Sequence, residues 1–342
     1  MEATLSQTEQ VQVPGAPDIP GLTFRRFRGE ADYPAMAEVS QVSRDFDKED
    51  DVVSTPESIA SAYSNLKNCD PYQDMVMVEM NGKLIGYKRV NWWAELDGTH
   101  IYGHFGFLVP EWRGKGIGTA LFRHSEARLR EIAQDHRDAT ARFFDVGSSD
   151  TTPGLVDLIE REGYSPVRNF YEMLRPDLEN IPDMPLPEGV EIRPVQAEEL
   201  RAIWEAEVEA FKDHWGEWQT EEEDFRRWQE HHLFQPHLWK VAWEGDQVAG
   251  MVRNFIDEAA NKRFNRKRGW TENISVRRQW RKKGVAKALI AASFRMHKEL
   301  GMTEAALGVD SENPNGARQL YESMGFKTVK TFTAYRKAMT EI

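Results

Sequence analysis

Val276-Arg277-Arg278-Gln279-Trp280-Arg281-Lys282-Lys283-Gly284-Val285-Ala286 decides the fold, because the chain carries the same design earlier as Leu108-Val109-Pro110-Glu111-Trp112-Arg113-Gly114-Lys115-Gly116-Ile117-Gly118. An extended run precedes each stretch and a helix-periodic run follows it. In the second copy Val285, Ala288, Leu289, Ala292 and Met296 fall on one helical face. A glycine-containing turn between a strand and a helix points backbone N–H groups and the positive end of the helix dipole at one place, which favours a phosphate or pyrophosphate. The chain has no GxxxxGK[ST] loop, and Gly114, Gly116 and Gly118 stand too close together for a GxGxxG fingerprint. Nucleotide hydrolysis and a nicotinamide cofactor are therefore disfavoured.

Working outward, the flanking segments repeat as well. Gly21 to Arg25 answers Gly189 to Arg193, each opening a strand-like run followed by a helix-like one. Met75 to Gly86 answers Trp239 to Gly250, and both read as β-hairpins with Asn-Gly or Gly-Asp at the turn. Glu162-Gly163-Tyr164 answers Met324-Gly325-Phe326, each leading from a helix into a closing strand. The economical explanation is two copies of one fold. Residues 1–20, polar and broken by Pro14, Pro17 and Pro20, read as a flexible tail. Residues 21–175 form the first domain, the Pro-rich stretch 176–188 the linker, and 189–342 the second domain.

A length of 342 residues suits two such domains, and 40% hydrophobic with 29% charged residues is an ordinary globular composition. A net charge of −12 argues against nucleic-acid binding, which depends on neutralising phosphates, and suits a cationic partner such as an amine. No segment reads as a membrane span or a leader, so the expected location is the cytoplasm. Cys69 is the single cysteine, which excludes an intramolecular disulfide and leaves a packing residue rather than a nucleophile. His231, His232 and His237 do not form a helical HExxH pattern, and no metal is expected.

The hexapeptides Arg113 to Gly118 and Arg281 to Ala286 resemble the R/Q-x-x-G-x-G/A signature of the GNAT N-acetyltransferase superfamily. The resemblance runs from about residue 21 to the end of the chain. It implies an α+β fold, a mixed and largely antiparallel splayed sheet flanked by helices, built twice in tandem. It also implies acetyl-CoA as co-substrate, with the loop cradling its pyrophosphate. The cofactor-binding candidates are then Ile274, Ser275, Val276, Arg281, Lys282, Lys283, Gly284, Val285, Ala286, Lys287 and Asn313, with Leu108, Arg113, Gly114, Lys115, Gly116, Ile117 and Gly118 in the first unit. The tandem plan resembles that of the mycothiol synthases, which acetylate a cysteinyl amine.

Attack by an amine needs a base, because an alkyl ammonium with a pKa near ~10 is mostly protonated at neutral pH. The resemblance implies Glu272, in Thr271-Glu272-Asn273-Ile274-Ser275-Val276, for that role; some members carry the glutamate two residues earlier, where this chain has Trp270. Asn313 to Phe326 resembles the family's Asn…Ala-x-x-Leu-Tyr-x-x-x-Gly-Phe segment, which makes Tyr321 the acid for the departing thiolate. Backbone N–H groups around Ile274 to Val276 are the implied oxyanion donors. In the first unit His104 takes the place of Glu272 and Ile159 that of Tyr321, counted from Arg113 and Gly163. That unit is expected to be catalytically degenerate while keeping a loop able to bind CoA.

Asp213, His214 and Trp215, on the segment that lines the acceptor pocket in the family, are the substrate candidates: a carboxylate for an ammonium and an indole for cation–π attraction. The run Lys262, Arg263, Arg266, Lys267 and Arg268 reads as a solvated turn, or else as a grip on the CoA 3′-phosphate. The leading expectation is transfer of an acetyl group from acetyl-CoA to a primary amine, on a small molecule or a peptide, by direct attack in a ternary complex. The alternatives are a non-catalytic acyl-CoA sensor and a protein N-terminal or lysine acetyltransferase.

Overall fold

The structure, a computed structural model, describes residues 10–50, 52–64, 66–212, 214–216 and 220–340. Two compact units emerge, Met1–Val167 with Thr333–Ile342, and Arg168–Phe332.

The first unit runs β1 (Leu22–Arg25), α1 (Tyr33–Phe46), α2 (Pro56–Ser64), α3 (Pro71–Asp74), β2 (Met75–Met80), β3 (Lys83–Ala94), β4 (Thr99–Leu108), α4 (Ile117–Ala133), β5 (Ala141–Ser149) and α5 (Pro153–Arg161), and then enters β6 (Ser165–Arg175). Its strands lie in the order β1-β2-β3-β4-β5, antiparallel except for the parallel pair β4 and β5. One face packs on α4, through Ile117, Ala120 and Leu121 against Val76, Val78 and Ile85. The other packs on α1, through Met36 and Val39 against Met75, Met77 and Leu84.

After β6 come β7 (Val190–Arg193), α6 (Leu200–Phe211), α7 (Glu222–Glu230), β8 (Lys240–Glu244), β9 (Gln247–Phe255), α8 (Glu258–Arg263), β10 (Arg268–Val276), α9 (Val285–Glu299), β11 (Glu304–Asp310), α10 (Ala317–Ser323) and β12 (Lys327–Ala338). In the second unit the order is β6-β11-β10-β9-β8-β7, with β10 and β11 the parallel pair. Leu200, Ile203 and Ala206 of α6 cover one face, and Val285 and Leu289 of α9 cover the other.

Three features depart from the expected boundaries. Residues 10–19 do not behave as a tail: Val11 and Val13 are buried beside Ile117 and Leu121, and the Val11 N–H donates to the Phe24 carbonyl at 2.9 Å. Apolar alternation within a polar, proline-broken stretch was the signal that composition masked. The Pro-rich linker is irregular but packed, with Leu178 buried and Ile181 and Met184 laid on the α9 core. Finally, each unit is closed by a strand from the other half of the sequence. β6 pairs antiparallel with β11, from Ala305↔Arg175 to Asp310↔Phe170, while the end of β12 lies beside β5, where the Met339 N–H donates to the Arg142 carbonyl at 3.0 Å.

Gly269 on β10 marks the tightest approach of helix to sheet. A Cβ there would lie 2.2 Å from Nδ1 of His297 on α9, and the histidine is fully buried. Gly269→Ala is therefore expected to cost about 1–3 kcal/mol of stability through overpacking, read as a lower denaturant midpoint with an unchanged slope.

Candidate active site

β10 and β11 hydrogen-bond only at Arg268↔Glu304, Gly269↔Ala305 and Trp270↔Ala306. Beyond Trp270 the two parallel strands part. The cause on the β10 side is a bulge: pairing with β9 runs Glu272↔Arg253 and resumes at Ser275↔Met251, so Asn273 and Ile274 stand against Val252 alone. Asn273 takes φ +49°, a left-handed conformation that asparagine tolerates better than most residues.

The regular pairing ahead of the bulge decides which way the glutamate points. Thr271 is paired with Asn254, whose amide reaches Ser293 on α9 at 3.0 Å. Glu272 is paired with Arg253, whose guanidinium reaches Glu207 on α6 at 3.4 Å. Glu272 therefore faces the α6 side, and its Oε1 accepts the Gly308 N–H of the parted strand β11 at 2.8 Å. Burial raises its carboxyl pKa to about 7, against the opposing effects of the Gly308 N–H, the Arg253 charge and the Asn273 N–H. A carboxyl poised there suits proton removal near neutral pH.

Tyr321 sits on α10 in the core with Phe326 and Met324. Burial, and then the charge of Glu272, raise its phenol pKa, so it stays protonated and able to donate. The structure thus brings the two expected catalytic side chains into one electrostatic neighbourhood, although they stand on separate elements.

At the loop, the short helical turn Arg278–Trp280 leads into Lys282 at φ +61° and Gly284 at φ +90°, the N-cap of α9. Alternating handedness of this kind turns successive N–H groups inward, and the first-turn amides of Val285, Ala286 and Lys287 have no intrahelical acceptor. Lys282, Lys283 and Gly284 are exposed, and a Cβ on Gly284 would meet nothing within 4 Å. The residues fit a diphosphate: open amides, a helix dipole and two lysines. The Arg281 guanidinium is turned inward instead, donating to the carbonyls of Val276 at 3.0 Å and Ala210 at 3.1 Å. It braces the loop against β10 and α6. Ile274, Ser275 and Val276 follow the bulge along the open edge of β10, with Ser275 buried.

Of the expected acceptor residues, Asp213 lies outside the described residues. His214 packs at a tilt against Phe211 with ring centroids 4.3 Å apart, and its Nε2 lies 3.4 Å from the Asn313 amide nitrogen. Trp215 packs near Phe170, which in turn neighbours Phe332, and the Arg168 guanidinium lies 5.7 Å from the indole centre. Reading the sequence did not find Glu207, Arg253 or Glu172, all near Glu272. It also did not find the bulge, whose one signal was an asparagine inside an otherwise strand-like run. In the basic run, Arg268 is no solvated charge: it is buried and paired with Glu172 at 3.0 Å and Glu304 at 2.8 Å.

The first unit keeps the loop, with Gly114 at φ +72° and Gly116 at φ +88° capping α4. Arg113 again points inward, paired with Asp47 at 2.6 Å and donating to the Leu108 carbonyl at 2.9 Å. Leu108 packs in the α4 core, Lys115 lies 4.4 Å from the Trp112 ring centre, and a Cβ on Gly118 would approach Leu158 to 3.2 Å. Here β3 and β4 pair without interruption from Gly86↔Leu108 to Ala94↔His100.

With no bulge, the faces are offset by one residue. His104 turns toward α4, 4.6 Å from the Phe122 ring, with its Nε2 2.9 Å from the Tyr164 hydroxyl. The partner of Arg89 is Phe105, and Arg89 is the counterpart of Arg253. The spatial counterpart of Glu272 is therefore Phe105 and not His104; counting residues misplaced it. Burial lowers the His104 pKa well below its ordinary value, and Ile159 is fully buried. Neither place offers a carboxyl or a phenol hydroxyl.

Cys69 is partly buried, and burial pushes its thiol up to about 11, which makes it a poor nucleophile. Among the described residues no group of three or more His, Cys, Asp or Glu could hold a metal. Among them, too, no helix is long and apolar enough to cross a membrane.

A parallel pair that opens beside a basic glycine loop at a helix start defines an acyltransferase site of the GNAT type. The acetyltransferase (GNAT) family model matches residues 40–146 and 200–326. The chain is 26% identical to a mycothiol acetyltransferase of Geodermatophilus obscurus over 272 residues, 78% of this chain and 82% of that one. It is also 26% identical to a mycothiol acetyltransferase of Salinispora arenicola over 307 residues, 82% and 92% of the respective chains. The crystal structure of a GCN5-related N-acetyltransferase from Sphaerobacter thermophilus superposes with TM-score 0.71 at 26% identity, covering 95% of this chain and 98% of that one. A tandem GNAT protein from the clavulanic acid biosynthesis pathway superposes at 0.65 with 16% identity, covering 93% and 98%. This chain belongs to the GNAT acetyltransferase family and is a tandem-domain acyltransferase.

Proposed function

We propose that the protein transfers the acetyl group of acetyl-CoA to a primary amine, by direct attack in the second unit, while the first unit takes no part in the chemistry. The observation that carries this reading is the half-buried carboxyl of Glu272, with a pKa of about 7, on the open side of the parted strands just ahead of the Asn273 bulge. Acetyl-CoA supplies the acetyl group as an activated thioester. The amides of Val285 to Lys287 and the ammonium groups of Lys282 and Lys283 hold its diphosphate. Glu272 takes the proton of the incoming ammonium, and N–H groups of the bulged strand around Ile274 to Val276 stabilise negative charge developing on the acetyl oxygen. As the C–S bond breaks, Tyr321 gives its proton to the departing sulfur and is reprotonated by the second proton that the attacking nitrogen sheds on becoming the amide.

The acceptor is a cationic amine, held on the α6 side by the His214–Trp215 segment. The name of the relatives puts mycothiol precursors first in the panel to be tried, ahead of peptide amines. In the first unit the loop with Gly114 and Gly116 is suited to hold CoA without turnover. The test is acetyl-CoA-dependent thiol release with that panel. Tyr321→Phe is expected to lower kcat on the order of 10²-fold with the KM for acetyl-CoA little changed; full activity in that variant would remove the tyrosine from the mechanism. Calorimetry that detects no binding of coenzyme A to the intact protein would end the proposal.

A further inference from the structure

Glu207 is an anomaly in its helix. It lies on the apolar stripe of α6 formed by Leu200, Ile203, Ala206 and Ala210, and is only 6% exposed. A buried carboxylate is costly unless it is paired. Both of its oxygens are engaged, and the choice of partners is informative. Oε1 accepts from the side-chain amide of Asn273, the left-handed residue of the bulge. Oε2 faces the guanidinium of Arg253, the cross-strand partner of Glu272, at 3.4 Å. One side chain therefore grips the residue that follows the base and the cation that lies across from it.

We infer that Glu207 is a positioning residue for the acetyl-transfer site: it ties down the Asn273 bulge that follows Glu272 and parts the strands, and it occupies Arg253 so that this cation does not capture the Glu272 carboxylate. The inference rests on Glu272 being the base. The charged groups that face Glu272 are few: Arg253 from β9, Glu172 from β6, Tyr321 from α10 and, through Arg253, Glu207 from α6. Arg253 stabilises the ionised form of Glu272 and Glu172 opposes it. Burial raises the pKa of the Glu207 carboxyl itself, against Arg253 and Asn273; where it is ionised, removing its charge leaves Arg253 to act on Glu272 alone. In the first unit, where no bulge exists, Arg89 at the corresponding place meets the rings of Tyr63 and Phe105 instead of a carboxylate.

The test uses the full-length protein, with acetyl-CoA and an accepted amine. Glu207→Gln keeps an oxygen for Asn273 and loses the charge. It is expected to move the acidic limb of the kcat/KM profile down on the order of one pH unit. Asn273→Gly can still adopt the bulge but loses the amide that Glu207 holds, and is expected to lower kcat on the order of tenfold with the KM for acetyl-CoA little changed. Asn273→Val resists the left-handed conformation, and is expected to lower kcat at least tenfold with the KM for acetyl-CoA unchanged.

A Glu207→Gln profile that superimposes on wild type overturns the inference, as does wild-type kcat in Asn273→Val. If Glu207→Gln fails to fold, judged by its thermal transition, Asn273→Gly decides: wild-type kcat there overturns the inference, and the expected loss supports it. Glu272→Gln is measured alongside: if it is fully active, the reading of Glu272 as base fails and takes this inference with it. A crippled Glu272→Gln beside an unmoved Glu207→Gln sinks the positioning role alone.

Discussion

Replacing Glu272 by glutamine is expected to lower kcat/KM by about 10²–10⁴-fold, the usual contribution of a positioned general base. The side chain keeps its shape and can still accept the Gly308 N–H, so binding of acetyl-CoA should hardly change. The pH profile gives the sharper readout. Burial places the carboxyl near pH 7, so the wild-type rate should rise as pH climbs through that value and the group ionises. In Glu272→Gln that limb should vanish. The amine acceptor titrates as well, but its limb moves when an amine of different basicity is used, whereas a limb belonging to Glu272 stays in place. A variant that keeps the limb near pH 7 would show that another group carries the proton.

Much of this site could be read in the sequence because the relevant constraints are local. A glycine loop between strand and helix is defined by adjacent residues, so Gly284, Gly116 and their helices fell where periodicity put them. What escaped depends on register. A single extra residue in β10 reverses which face the following side chains present. Counting back from the loop therefore equated Glu272 with His104, although the paired strands set Phe105 in that place. Glu207 escaped for a related reason: one acid in an amphipathic helix reads as surface until its neighbours across the sheet are known. The strand exchange escaped because both halves end in similar closing strands, and nothing in either copy says which sheet it joins.

The second large effect concerns acid stability. His297 is fully buried against Gly269. Burial lowers its pKa from 6.5 to about 4. The folded state therefore requires the neutral ring, while the unfolded chain takes up a proton below pH 6.5. The contribution is fully present above pH 6.5 and is lost progressively as pH falls toward 4, reaching about 3 kcal/mol.

Asp145, whose carboxyl is raised to about 6 by burial, acts in the opposite sense and favours the folded state as pH falls. Total stability thus mixes both signs. The difference between wild type and His297→Gln isolates the histidine: the gap in unfolding free energy should shrink or reverse between pH 7 and pH 4.5. A gap that stays constant over that range would show that the ring is not titrating as its burial dictates.

The exchanged strands bear on how the chain matures during synthesis. The second unit takes its closing strand from residues made before its own first strand, so that strand must wait for β11 to emerge. The first unit is in the reverse position, since Thr333 to Ala338 are made only after the whole of the second unit. The usual order, in which an N-terminal domain completes itself while the rest is still being translated, is therefore closed to this protein: the first unit is finished only after the second has been made.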